Sequence, residues 1–189
     1  MITSIDVAQR IYDQLGWVDS WRLEKLTYYA QAWSLGWYGR PLFDEDFQAW
    51  PDGPVEPHLF SVNKYLRDGW TSAFLPNADV SKIGSFELQV IDSVLEYYRD
   101  FTKDQLIEMT HKEEPWKFAR QGFGPNEQSS KVISKRSMKV YYALKELNGD
   151  GVPVRPAISA PRSEPRSDYN NLRANAERWK SALDILALR

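Results

Sequence analysis

The sequence predicts a mainly α protein of α+β type: a single helical domain with a small two- or three-strand element, followed by a C-terminal linker and an amphipathic helix. Three observations carry this. Apolar residues recur at three- and four-residue spacing over most of the chain up to Leu147, the period of helices packed on one face. That period breaks between Arg40 and Pro57, where turn formers crowd around short alternating pieces. From Gly149 to Asp168 there is no apolar period, and four Pro and three Arg fill the segment. The predicted organisation is a helical domain over 1–148, a Pro/Arg-rich linker over 149–168 and a terminal helix over 169–189.

The first helix runs to Leu15, with Ile5, Ala8, Ile11, Tyr12 and Leu15 on one stripe and Thr3 with Asp6 as a capping box before Gly16. Asp19 or Ser20 caps a second helix through Leu23, Leu26, Tyr29, Ala30 and Trp33, closed by Gly36 and Gly39. Phe47, Ala49 and Val55 mark a short extended excursion, and Lys131, Val132 and Ile133 are a third piece able to pair with it. Pro57 suits the first turn of a helix through Leu66. Trp70 to Gly84 reads as loop. Ser85 opens an amphipathic helix carrying Leu88, Ile91, Val94, Leu95 and Tyr98. Thr102 with Gln105 caps a short helix, Pro115 and Trp116 begin a further turn, and Ser134 caps a helix through Tyr142 to Leu147. Asp168 caps the terminal helix, whose stripe includes Leu172, Trp179, Leu183 and Leu186.

Composition limits the chemistry. The chain has no Cys and two His, so thiol nucleophiles, thiolate metal sites and disulfides are excluded. A net charge of −2 argues against nucleic-acid binding by the whole surface. No run approaches the roughly 18 apolar residues of a membrane span, and the N-terminus lacks a leader pattern, which predicts cytoplasmic residence and no membrane partner. Eight Trp, ten Tyr and eight Phe are many for 189 residues, and aromatics dominate both cores and interfaces.

Several blocks together resemble one family. LEKLTYYAQAW (23–33), GRPLF (39–43), FQAWPDGPVEP (47–57), THKEEPW (110–116) and the VIS segment at 132–134 with Tyr142 are similar to the Panacea domain of phage-associated, SocA-like antitoxins. The resemblance covers about residues 5–147 and leaves out the linker and terminal helix. Asp52 departs from it, since an aromatic is expected before the Gly53-Pro54 step. It implies an antitoxin of a toxin–antitoxin pair, bacterial and often prophage-encoded, which neutralises a cognate toxin by direct binding. One type acts as an adaptor delivering its toxin to the ClpXP protease. No catalytic residue, metal or cofactor comes with it, so the expectation is a non-enzyme.

Partner-binding candidates are Trp50, Asp52, Glu56 and His58 on the irregular 47–58 loop, and Leu172, Trp179, Leu183 and Leu186 on the terminal helix, which either docks on its own domain or enters a partner's groove. Self-association stays open. Two alternatives come from other classes. The first two helices, with Arg22 and Lys25 turned to a DNA groove, would make a regulator of its own operon. His58 and His111, meeting Glu56, Glu113 and Glu114, would make a metal-dependent hydrolase. Asp44, Glu45 and Asp46 lack calcium-loop spacing, and GFGPN at 122–126 lacks the strand, helix and Lys of a phosphate loop.

Overall fold

The computed structural model describes residues 2–149 and 151–158. Among them the order is α1 (Ser4–Leu15), α2 (Ser20–Tyr38), β1 (Gln48–Trp50), β2 (Gly53–Val55), α3 (Pro57–Tyr65), α4 (Ser85–Tyr98), α5 (Lys103–Lys112), α6 (Glu114–Ala119) and α7 (Lys135–Asn148). A single 3₁₀ turn, Val80–Lys82, interrupts the loop before α4. The mainly helical fold with one small antiparallel sheet is the one the sequence predicts. No helix among the described residues is long and apolar enough to cross a membrane.

Local chemistry sets the helix ends. Thr3 and Asp6 form a reciprocal capping box on α1, as do Thr102 and Gln105 on α5. Asp19 caps α2 by accepting the Arg22 N–H at 3.1 Å. Gly36 does not stop this helix; Gly39 does, at φ 66 in the left-handed region.

α2 is the axis of the fold. From Leu23 to Leu35 every residue is buried, polar and apolar alike, so the helix has no solvent face. It contacts α1, α3, α4, α5 and β2, and packs most extensively on α7. Much of the aromatic excess lies here. Tyr29 stacks on Tyr98 at 4.2 Å between centroids, Tyr142 meets Trp33 edge-on at 5.0 Å, and the Trp33 indole donates to Tyr98 Oη at 3.0 Å. Such pairs add about 0.5–1.5 kcal/mol each beyond the area they bury.

α7 reaches this core through two features. Gly36 lets the backbones close: a Cβ there would lie 2.6 Å from Tyr142 Cβ and 2.9 Å from the Tyr142 carbonyl carbon. Glu113, buried between α5 and α6, accepts a hydrogen bond from Tyr142 Oη at 2.5 Å and an ion-paired one from Lys145 Nζ at 2.7 Å. Burial raises the Glu113 carboxyl above the ordinary carboxylate range, with Lys145 opposing the shift.

Residues 151–156 open the predicted linker. They are extended, but they lie along the helical body as a strap. Pro153 is buried, Tyr38 Oη donates to the Pro156 carbonyl at 2.5 Å, and Ser93 Oγ donates to the Val154 carbonyl. The Arg155 guanidinium sits 4.8 Å from the Tyr38 ring centroid and pairs with Glu146 at 3.7 Å. The terminal helix expected over 169–189 lies outside the described residues.

Replacing Gly36 by Ala forces α2 and α7 apart at a backbone contact with little room to relax. The expected loss is on the order of 1–3 kcal/mol, seen as a lower midpoint in urea denaturation followed by Trp fluorescence. An unchanged midpoint would show that the two helices do not meet this closely.

Candidate functional site

The segment 47–58 folds into a hairpin whose backbone is held from both sides. β1 and β2 pair antiparallel with Gln48 opposite Val55, Ala49 opposite Pro54 and Trp50 opposite Gly53, leaving Pro51 and Asp52 as the turn. The third extended piece joins as expected: Gln48 bridges Val132, with Ala49 N–H donating to the Lys131 carbonyl at 2.9 Å and Ile133 N–H to the Phe47 carbonyl at 2.8 Å. Ala49 thus turns its N–H away from β2, and the donor missing at Pro54 costs the ladder nothing.

Two charged residues of α2 hold the hairpin from below. Lys25 Nζ donates to the Pro54 carbonyl at 3.0 Å, and Glu24 accepts the Glu56 N–H at 2.9 Å. Both side chains are fully buried. Gly53 is required here, since at φ 101 its Cα passes so close that a Cβ would lie 2.5 Å from Lys25 Cε and 2.8 Å from Thr110 Oγ1. Burial pushes the Glu24 carboxyl up to about 8 and the Lys25 ammonium down to about 8, the neighbouring opposite charge opposing each shift.

A second clamp comes from α5 and α6. The His111 and Trp116 rings stack at 4.1 Å and 16°, and the Trp116 indole donates to the Trp50 carbonyl at 3.0 Å. Arg120 donates to the Ala49 carbonyl at 3.0 Å and to the Gly124 and Glu127 carbonyls at 2.6 and 2.9 Å. One guanidinium thereby shapes both the hairpin and the GFGPN turn, which is a surface turn and not a phosphate loop. Burial, then the Lys25 charge, lowers the His111 pKa, so its imidazole is neutral at neutral pH.

Backbone fixed this way presents side chains at its tip. Trp50 is half-buried, edge-on to Phe60 at 5.0 Å, with its indole donating to Gln48 at 3.0 Å; Asp52 is exposed. A cavity of about 320 Å³ opens beside them, lined by Trp21, Trp50, Pro51, Asp52, Asn126 and Gln128. His58 is exposed a turn further on. Glu56 points inward: 4% exposed, it accepts from Ser4 Oγ, His58 N–H and Leu59 N–H and caps α3. Of the four loop candidates, Trp50, Asp52 and His58 therefore offer side-chain surface. Leu172, Trp179, Leu183 and Leu186 lie outside the described residues.

Neither alternative assembly forms. Lys25 is interior and Arg22 donates to the Arg99 carbonyl, so these two do not make a phosphate-facing pair. His111 stacks on Trp116 and Glu113 serves α7. No group of three or more His, Asp or Glu able to hold a metal ion occurs among the described residues. The acidic run is a tie between elements: Lys135 Nζ donates to the Asp44 carbonyl at 2.7 Å and pairs with Asp46, while Glu45 accepts the Ser4 N–H at 3.4 Å.

A family model described as "Antitoxin SocA-like, Panacea domain" matches residues 23–117, about half of the chain. The span holds the hairpin, α2 and the His111–Trp116 clamp, and it stops short of Val132 and Tyr142. No curated protein and no solved structure matches the chain.

Burial of Glu24 has a measurable signature. Its folded pKa lies above the ordinary 4.5, so its contribution to stability is complete below that value and is lost as pH rises through about 8. For Lys25, lowered from 10.5 to about 8, stability instead recovers as pH climbs above about 8. Glu24→Gln, which keeps an acceptor for Glu56 N–H, should flatten the fall in melting temperature between about pH 5 and 8. Parallel wild-type and variant curves would place Glu24 in contact with water.

Proposed function

Because the chain belongs to the Panacea family of SocA-like antitoxins, we propose that it is an antitoxin that neutralises a cognate toxin by stoichiometric protein–protein binding, with the clamped hairpin tip as its contact surface. The observation that carries this reading is the division of labour in 47–58. Lys25, Glu24, Trp116 and Arg120 all hold its backbone, while Trp50 and Asp52 keep side-chain surface at its tip. A loop already ordered in the free protein loses little entropy when a partner docks. An aromatic beside a charge is also the usual make-up of an interface hot spot.

The reading is of binding without catalysis. The groups that would do acid–base work are employed otherwise: Glu56 as a helix cap, His111 in a ring stack on Trp116, and Glu113 as the acceptor of Tyr142 and Lys145. The protein would act in the cytoplasm, where its toxin is made. An adaptor mode, handing the toxin to the ClpXP protease, would add a second surface. Toxin half-life in the presence of this chain separates it from simple blocking.

The test is growth after induction of the neighbouring toxin open reading frame, alone and together with this chain. Arrest that the wild-type chain relieves supports the antitoxin reading, and arrest without relief overturns it. Asp52→Arg, a substitution at an exposed position, should abolish rescue and co-purification of the toxin while leaving the melting temperature within about 2 °C. Full rescue by this variant would move the contact surface away from the hairpin.

The C-terminal segment is tested separately by a chain truncated after Ile158, which retains the docked strap. Unimpaired rescue by that truncation would remove Leu172, Trp179, Leu183 and Leu186 from the toxin interface. Lost rescue with an intact melting transition would place them in it.

A further inference from the structure

We propose that the cavity at the hairpin tip is a receptor for one arginine side chain of the partner protein. This rests on the binding reading above and adds the chemistry of what is bound. The cavity, about 320 Å³, has two indole walls, Trp21 and Trp50, one carboxylate, Asp52, and two amides, Asn126 and Gln128. Asp52 has no ion-pair partner within 4.0 Å among the described residues, although it is the turn residue of a hairpin whose every backbone neighbour is clamped.

The surrounding charge selects a cation. Asp52 is the one charged side chain among the residues that line the cavity. Lys25 is the cation beneath the turn, but its ammonium is buried and committed to the Pro54 carbonyl. His111 carries no charge at neutral pH, for the reason given above. An anion entering beside Asp52 would meet that carboxylate with no free cation to offset it.

The walls favour arginine over lysine. A guanidinium is flat, weakly hydrated and able to stack on an indole face while donating two parallel hydrogen bonds to a carboxylate; an ammonium is a hydrated point charge that can do neither as well. The protein already uses indole–cation contacts nearby, with Lys25 Nζ 5.6 Å from the Trp21 centroid and the Arg120 guanidinium 5.4 Å from that of Trp116. The acidic side chain at position 52, where the family resemblance leads one to expect an aromatic, is the feature that gives this pocket its sign.

The experiment needs no toxin. The full ¹⁵N-labelled chain is titrated with N-acetyl-arginine methylamide, and the indole Nε1–H resonances of Trp21 and Trp50, assigned from Trp21→Phe and Trp50→Phe, are followed by NMR. Saturable shifts of both are expected, with lysine methylamide binding more weakly and the neutral, nearly isosteric citrulline derivative not binding. Asp52→Asn should weaken arginine binding about tenfold. Equal shifts from citrulline, preference for N-acetyl-glutamate, no saturable arginine shift, or an Asp52→Asn variant that binds as the wild type would each overturn the assignment. Since the titration reads the pocket and the growth assay reads neutralisation, either can fail while the other holds.

Discussion

The fold turns on the burial of α2 from Leu23 to Leu35. A helix with no solvent face carries its polar residues inward with it, and a buried polar group costs free energy unless it is bonded. Glu24 and Lys25 therefore need partners that an aromatic core does not contain, and the hairpin supplies them as bare backbone: the Pro54 carbonyl and the Glu56 N–H. Gln31 meets the same need about two turns on, donating to the Phe43 carbonyl at 2.8 Å and accepting the Leu42 N–H at 2.7 Å. The irregular 40–58 segment is ordered because the central helix has groups that only irregular backbone can satisfy.

The same logic explains how a two-strand sheet with three residues per strand persists. An isolated hairpin of that size is marginal in water. Here each exposed edge is taken up, by Lys131–Ile133 on one side and by α2 side chains on the other, with Arg120 and the His111–Trp116 stack holding the tip. Rigidity at the tip is thus supplied by helices that are distant in sequence.

Local signals were legible in the sequence wherever a few adjacent residues decide the outcome. The capping boxes at Thr3 and Thr102, the stop at Gly39 and Pro57 at a helix start all follow from composition over fewer than about eight residues. What stayed hidden depends on partners far along the chain. Glu24-Lys25 in a helix reads as a surface pair until β2 is seen above it. Gly36 reads as a helix stop until Tyr142 arrives, and Glu56 reads as loop surface until Ser4 and α3 draw it inward. The Arg155 segment looks solvated because proline and arginine favour exposure, yet Tyr38, Ser93 and Glu146 give it specific seats. For the site, Trp50 and Asp52 were found by their loop setting and His111 was singled out for other chemistry, whereas Trp21 and Arg120 carried no local mark.

The Glu113 contact with α7 separates two boundaries that are easily confused. The stretch shared with the family ends at residue 117, yet Glu113 lies within it and both of its partners, Tyr142 and Lys145, lie beyond it. Excising the shared stretch would open to water a carboxyl that is now buried, together with the faces of Tyr28, Tyr29 and Trp33 that Tyr142 covers. The matched stretch is therefore smaller than the unit of folding: α7, outside it, delivers a hydroxyl and a cation to that one buried acid.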